Sequence, residues 1–116
     1  SIPDEHVQMI YKNGYWDRIK GDELRSGVDF STFDWAVNSG PGRAAKALQK
    51  AVMVAQDGAI GPMTLGAAAE FTPEEIIESI AQQREEFYRA LRTFDTFGKG
   101  WLRRNEETRD FSLSLV

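Results

Sequence analysis

The feature that most constrains the fold is a long amphipathic segment that opens with a complete helix-start signal at Thr72. Thr72 is a good N-cap, Pro73 suits the first helical position, and Glu75 stands where a capping box requires it. Apolar side chains then recur at helical spacing: Ile76, Ile77, Ile80, Phe87, Tyr88 and Leu91. The pattern predicts a helix over about 73–92, whose apolar stripe must pack against other segments.

Most of the remaining chain has the same helical spacing, and no alternating strand pattern competes with it. Further helices are predicted at about 3–15, 29–39, from 43 onwards, 62–69 and 100–113. The glycine-containing stretches 17–27 and 98–100 are predicted loops. We therefore expect an all-α fold, a compact bundle of about five to six helices that forms one unit over residues 1–116.

Composition places the chain among globular proteins and excludes several kinds of site. Its 116 residues are 41% hydrophobic and 28% charged, enough for a modest core. Cysteine is absent and His6 is the only histidine, so we expect no metal site, no cofactor and no thiolate chemistry. A net charge of −4, with Lys and Arg spread along the chain, argues against a nucleic-acid partner. No run approaches the roughly 20 apolar residues of a membrane span, and the sequence leaves the oligomeric state open.

Arg84 falls inside the apolar arc of the long predicted helix, between Ile80 and Phe87. A buried guanidinium needs a carboxylate or several carbonyls, because an unpaired buried charge is very costly. Asp34 and Asp57 are both candidate partners. The arrangement predicts a structural ion pair rather than a binding site.

The helix predicted at 29–39 is expected to bury one apolar face, formed by Phe30, Phe33 and Val37. Asp34 and Asn38 are four residues apart at the edge of that face. They either line a cleft or satisfy backbone groups at the turn over 40–42. Trp35 points away from the apolar face, and we expect it to be the most exposed aromatic residue.

The segment Asp57-Gly58-Ala59-Ile60-Gly61-Pro62-Met63-Thr64 combines a tight-turn pair with a proline suited to a first helical turn. On these grounds alone it is a well-built turn between two helices. The pattern Asp-Gly-x-x-Gly-Pro-x-Thr, preceded by Leu48-Gln49, also closely resembles peptidoglycan-binding modules.

A longer match makes this resemblance more specific. It runs through Tyr15-Trp16-Asp17, Gly21-Asp22, Gly27-Val28-Asp29, and Phe33-Asp34-x-Ala36-Val37-Asn38-Ser39-Gly40-Pro41-Gly42-Arg43-Ala44-Ala45. The closing Phe97-Gly98-x-Gly100-Trp101 with Arg103 and Arg104 is similar too. Over nearly all of residues 8–110 the chain resembles glycoside hydrolase family 108. These are N-acetylmuramidase-type lysozymes of phages and bacteria, with a predicted peptidoglycan-binding region at the carboxyl end.

The resemblance implies that residues 1–45 belong to a lysozyme-like cleft and residues 46–116 to the peptidoglycan-binding region of a longer chain. The implied partner is the glycan strand of peptidoglycan. The implied place of action is the bacterial cell envelope or periplasm, or the cell wall attacked by a phage lysis protein. Aromatic rings that stack on sugars and polar groups near the core give the candidate substrate-binding residues: Tyr15, Trp16, Asp34, Trp35, Asn38, Asp57 and Thr64. The alternative for the aromatic residues is a place in the core.

One departure from the family bears on activity. Family members place the catalytic glutamate in a Glu-Gly-Gly-Tyr motif, upstream of the region matched here. None of the ten glutamates of this chain precedes Gly-Gly, and glycoside hydrolysis needs a carboxylic acid that protonates the leaving oxygen. We therefore expect no catalytic residue in this chain and hydrolysis only by the full-length protein. The alternative is a non-catalytic peptidoglycan-binding or helical interaction module.

Overall fold

Proline begins three of the five α-helices in the computed structural model, which describes residues 12–116 and the side chains of residues 14–116. The α-helices are α1 (Val28–Ser39), α2 (Pro41–Ala51), α3 (Pro62–Ala68), α4 (Pro73–Arg89) and α5 (Phe94–Ser114). A π-helical turn at Lys12–Trp16 and a 3-10 turn at Gly21–Glu23 precede them. No strand occurs within residues 12–116, so the all-α prediction is confirmed. The helix predicted at 3–15 falls mostly outside the described residues.

Helix α4 starts as its sequence predicts. The Thr72 side chain accepts a hydrogen bond from the backbone N–H of Glu75, and the Glu75 carboxylate accepts one from the N–H of Thr72. This capping box satisfies N–H groups that a helix start leaves without intrahelical partners. The local signal was sufficient because all its participants lie within four consecutive residues.

Helix α1 occupies the centre of the fold, where it packs against α2, α4 and α5. The predicted buried face is wrong: Val37 is 38% exposed, and Phe30 and Phe33 are only partly buried. The buried residues of α1 are Val28, Ser31, Thr32, Asp34, Trp35 and Ala36. Contact on several sides buries the polar positions as well, and hydrophobic spacing alone does not reveal such contact.

Helix α5 begins at Phe94, six residues before the predicted start. The predicted loop at 98–100 is wrong because both glycines lie inside the helix. Gly98 is buried against the ring of Phe94, and a Cβ at this position would collide with that ring. Close packing therefore explains why a glycine occurs inside this helix, although the low helix propensity of glycine favours a loop.

The segment at 17–27 is irregular apart from its short 3-10 turn, as predicted, and it is anchored at several points. Ile19 and Leu24 enter the core. Arg25 donates hydrogen bonds to the carbonyl oxygens of Ala68 and Phe71. No helix in the described part of the chain has the length and apolar content needed to cross a bilayer.

Gly27 joins this segment to α1 with a φ of +92°, and a Cβ placed there would lie 2.5 Å from the carbonyl oxygen of Ser112. We expect Gly27→Ala to lower the free energy of unfolding by at least about 2 kcal/mol, because it combines an unfavourable backbone conformation with a steric clash. Urea denaturation measures the change.

The matched control is Gly66→Ala on the exposed side of α3, where an added Cβ meets nothing within 4 Å. Removing a glycine from a helix there is expected to raise stability by about 0.5–1 kcal/mol. Equal stabilities for the two variants would contradict this account of Gly27.

Candidate functional site

The carboxylate of Asp34 in α1 holds three helices together. It accepts hydrogen bonds from Arg84 in α4 (2.8 Å) and from Arg104 (2.5 Å) and Thr108 (2.9 Å) in α5. Arg84 is 1% exposed, so its charge must be compensated inside the protein. Of the two aspartates that the sequence offered as partners of Arg84, Asp34 is therefore the one that pairs with it. The predicted structural ion pair is confirmed.

The network continues from Arg84 towards the surface. The Nε atom of Arg84 donates to the hydroxyl of Tyr88 at 2.8 Å, and that hydroxyl donates to the Asn38 side-chain oxygen at 2.7 Å. Ser39 donates to the same oxygen. Asn38 thus accepts hydrogen bonds from two side chains and is itself exposed. The observed partners of Asp34 and Asn38 are side chains, and not the backbone groups at 40–42 that one of the two predictions proposed.

Electrostatics favour the ionised form of Asp34. Burial raises the pKa of its carboxyl, but the hydrogen bonds from Arg104 and Arg84 outweigh that effect and hold the pKa below the ordinary 3.8. The same contact raises the pKa of Arg104. A group that protonates a leaving oxygen needs a raised pKa, so Asp34 is unsuited to that role.

The turn segment that carries the peptidoglycan resemblance is organised by Gln49, which is 1% exposed in α2. Its amide nitrogen lies within hydrogen-bonding distance of three acceptors, which share its two hydrogens: Asp57 (2.8 Å), the Ala59 carbonyl (3.0 Å) and the Thr64 hydroxyl (3.2 Å). Its oxygen accepts from the Gly58 N–H at 2.9 Å. Asp57 and Thr64 therefore lie together, as a pair of candidate residues should, but their hydrogen bonds fix the loop internally.

Asp57 and Thr64 differ in what they offer a ligand. Asp57 is exposed, and its pKa is lowered chiefly by the hydrogen bond from the Ala59 N–H and then by that from Gln49. Thr64 is buried and its hydroxyl already contacts Gln49. Only Asp57 presents its side chain to solvent.

The three aromatic candidates lie in two parts of the structure, with Tyr15 and Trp16 before α1 and Trp35 within it. Tyr15 and Trp16 are half-buried, and the Trp16 ring packs edge-on against Phe33 of α1 with centroids 5.3 Å apart. The Trp16 indole N–H donates to Asp22 at 2.8 Å. Neither residue lines the grooves described below. Their role in substrate binding stays a prediction.

Trp35 corrects an expectation. It was predicted to be the most exposed aromatic residue, yet it is 3% exposed and packs against Phe87 at a centroid distance of 6.1 Å. Its indole nitrogen has no hydrogen-bond partner within residues 12–116. The error follows from the misplaced buried face of α1, because the side opposite Phe33 is the side that packs against other helices.

A groove of about 590 Å³ between α2 and α4, here called the basic groove, was missed by sequence reasoning. Its lining includes Gly42, Arg43, Lys46, Lys50, Glu86 and Phe87. Gln56, next to Asp57, lies at its loop end. The sequence does contain a signal for this groove. Residues 35–56 include three bases, Arg43, Lys46 and Lys50, and no Asp or Glu, although the chain carries 18 acidic residues.

A smaller adjoining groove of about 370 Å³, here called the aromatic groove, shares Arg43 and Phe87 with the basic groove. Its other lining residues are Asn38, Ser39, Tyr88, Leu91 and Trp101. The Arg43 guanidinium lies 4.2 Å from the centre of the Phe87 ring, where a cation–π contact holds it at the junction. Two predicted positions line this surface, Trp35 in the basic groove and Asn38 in the aromatic groove. Asp57 lines neither groove, but it follows the lining residue Gln56 in the chain.

The groove on the other side of α4 has the reverse charge. A groove between α4 and α5 is lined by Glu75, Glu78, Glu85 and Glu106, with Arg89 and Arg109. The pKa of Glu75 is lowered by the Thr72 hydrogen bonds of the capping box, which again disfavours a general acid. Helix α4 therefore separates a basic surface from an acidic one.

Two family descriptions match the chain: "Glycosyl hydrolase 108" over residues 1–40 and "Predicted Peptidoglycan domain" over residues 43–106. Among solved structures, that of Brucella abortus SagA is similar, with a TM-score of 0.94 and 41% sequence identity. The match covers 99% of this chain and 66% of SagA, so the chain spans slightly less than two thirds of that protein. No curated protein in the comparison matches the chain significantly.

We expect Asp34→Asn to lower the free energy of unfolding at pH 7 by about 3–5 kcal/mol, because Arg84 then stays buried without its counter-charge. The folded pKa of Asp34 lies below its unfolded value. Its contribution is therefore complete above the unfolded pKa and is lost as pH falls through the folded pKa. Denaturation series at pH 7 and below pH 4 should show the gap between wild type and variant closing in acid.

Asp110→Asn is the matched control, since Asp110 pairs with Arg109 at the surface. Its effect should stay within about 1 kcal/mol. An Asp34→Asn gap that is as large in acid as at neutral pH would contradict the assigned role.

Gln49→Glu should loosen the turn segment, because it keeps the acceptor for the Gly58 N–H but replaces the donor to Asp57 with a negative charge. We expect a loss of at least about 2 kcal/mol and faster hydrogen exchange at the amides of Gly58 and Ala59. Gln56→Glu introduces the same charge at an exposed position and serves as the control. Unchanged exchange in the Gln49 variant would show that the loop does not depend on this side chain.

Proposed function

Because the chain belongs to the glycosyl hydrolase 108 family and carries a predicted peptidoglycan domain, we propose that it is the peptidoglycan-recognition portion of a muramidase acting at the bacterial cell wall. In this proposal the full-length protein hydrolyses glycan strands. The part described here holds the strand beside the reacting bond. The observation that carries the proposal is the continuous surface formed by the basic and aromatic grooves.

The two matched segments act as one body. Asp34 lies in the segment matched by the hydrolase family, and its partners Arg84 and Arg104 lie in the segment matched by the peptidoglycan domain. The Trp35–Phe87 contact crosses the same boundary. A rigid connection supports joint binding of one strand, rather than a tethered module that binds at a distance.

The chemistry of the two grooves suits a glycan that carries peptides. Phe87 and Trp101 supply aromatic surface for sugar rings, and the Asn38 amide supplies hydrogen-bonding atoms at the rim. The Asp57 turn, held by Gln49, lies at the far end of the same surface. Of the seven candidate substrate-binding residues, Asn38 and Asp57 are the two that we retain for direct contact here. Tyr15 and Trp16 are proposed for a neighbouring part of the cleft.

The carboxylates with clear pKa shifts argue for recognition rather than catalysis by this chain. Asp34, Asp57 and Glu75 all have lowered pKa values. A general acid of a glycosidase needs a carboxyl that stays protonated near neutral pH. Together with the lack of a Glu-Gly-Gly sequence, this supports binding without cleavage. The competing function, a helical interaction module, predicts no affinity for cell wall at all.

We expect the protein to co-sediment with purified peptidoglycan sacculi and Gly42→Trp to weaken that retention by about tenfold or more, equivalent to roughly 1.4 kcal/mol. Gly42 lines the basic groove, and an added Cβ there meets no atom within 4 Å. The substitution therefore starts in open space, and we expect the indole to occupy the groove; circular dichroism of the variant checks that the fold is kept. Quantitative pelleting assays at several sacculus concentrations measure the change.

Gly66→Trp is the matched control, since Gly66 is equally open but lines neither groove. It should bind like the wild type. No retention of the wild type would favour the interaction module, and equal retention of both variants would exclude the grooves. Release of reducing sugar from sacculi by this chain alone would overturn the absence of catalysis.

A further inference from the structure

We propose that Arg43, Lys46 and Lys50 bind the free carboxylates of the peptide stems of peptidoglycan, while the adjoining aromatic groove takes the sugars. This inference rests on the proposed function and specifies which part of the substrate each groove recognises. The chain is acidic overall, yet one helix face is purely basic.

The three bases share one face of α2. At 100° per residue, positions 43, 46 and 50 fall within an arc of about 60°, and their backbone positions span roughly 10 Å along the helix. That length equals about three residues of extended peptide. The buried face of the same helix is formed by Ala44, Ala45, Ala47, Leu48 and Gln49, so the basic side chains point away from the core.

These bases lack ion-pair partners within the described part of the protein. None of them forms an ion pair there, whereas Arg84, Arg89, Arg104 and Arg109 all do. Glu86 is the one carboxylate that lines the basic groove. Charges placed together on one face repel each other, and an anionic ligand removes that repulsion.

The position of Arg43 connects the two subsites. It lines both grooves, and its cation–π contact with Phe87 fixes the guanidinium between them. Peptidoglycan presents the same alternation, because neutral sugar rings carry short peptides with free carboxylates. A neutral glycan would need only the aromatic groove, so the bases indicate that the peptide is recognised as well.

A phosphate polymer fits this surface less well. Its anionic backbone continues beyond a three-charge site and would meet a protein of net charge −4 with an acidic groove on the far side of α4. Electrostatic binding of such polymers grows with the number of neutralised phosphates. A short ligand with a few carboxylates matches the extent of the basic face.

Calorimetric titration of the intact chain with a disaccharide–tripeptide muropeptide tests the proposal. The same muropeptide with its carboxylates amidated is the second ligand. The triple variant R43Q/K46Q/K50Q should bind the free-acid ligand on the order of tenfold more weakly, as three exposed charge contacts predict. The amidated ligand should bind the wild type about as weakly as the free-acid ligand binds the triple variant. Raising salt from about 0.05 to 0.5 M should weaken only the free-acid complex.

The matched control is R92Q/K99Q/R103Q, which removes the same charge from three exposed positions outside the basic groove. It should bind the free-acid ligand like the wild type. An equal loss in both triple variants, equal affinity for the two ligands, or equally strong competition by polyphosphate would overturn carboxylate recognition.

Pelleting with sacculi separates this inference from the function on which it rests. Wild type that is retained by sacculi but does not prefer the free-acid muropeptide disproves only the carboxylate subsite. Wild type that is not retained disproves the proposed function itself. The amidated-ligand arm uses unmodified protein, so it remains decisive even if a variant folds poorly.

Discussion

The buried ion pair between Arg84 and Asp34 is the interaction on which the arrangement of the helices depends. Removing a guanidinium from water is expensive, and the cost is met only if its partners stand at hydrogen-bonding distance. Asp34 supplies the counter-charge through Nη1, and the Tyr88 hydroxyl accepts from Nε, while Nη2 has no hydrogen-bond partner among the described residues. Because these groups come from α1 and α4, and Arg104 and Thr108 from α5 also donate to Asp34, the three helices have little freedom to shift independently.

This constraint determines how the surface is presented. The grooves on either side of α4 are bounded by a helix that is held in place through Arg84 and Tyr88 in its carboxyl-terminal half. The two grooves consequently stay separate: the bases of α2 give the first its positive charge, and Glu78 and Glu85 of α4 line the second. A rigid, charge-segregated body suits recognition of a stiff polymer, because little conformational entropy is lost on binding.

The Asp57–Thr64 turn illustrates how a family motif can have a structural explanation. Asp57 and Thr64 both contact Gln49, and Asp57 also accepts a hydrogen bond from the Ala59 N–H. Gly58 adopts a φ of +80° that suits glycine. These contacts account for Asp57, Gly58 and Thr64 without a ligand. The motif's functional importance in the proposal comes from its position at the end of the basic groove.

The sequence by itself determined two kinds of feature. One kind depends on interacting residues that are close together along the chain, and the other on a free-energy cost, such as that of burying a charge, that is the same in any fold. It predicted the all-α class, the capped start of α4, the proline start of α3 and the need of Arg84 for a carboxylate. The tertiary structure alone decided which aspartate met that need, and that Trp35 rather than Val37 is buried. It also decided that α5 continues through Gly98 and that three bases of α2 form one groove with Phe87. Those outcomes depend on contacts between residues far apart in the chain, and helical periodicity carries no information about which helices surround a given face.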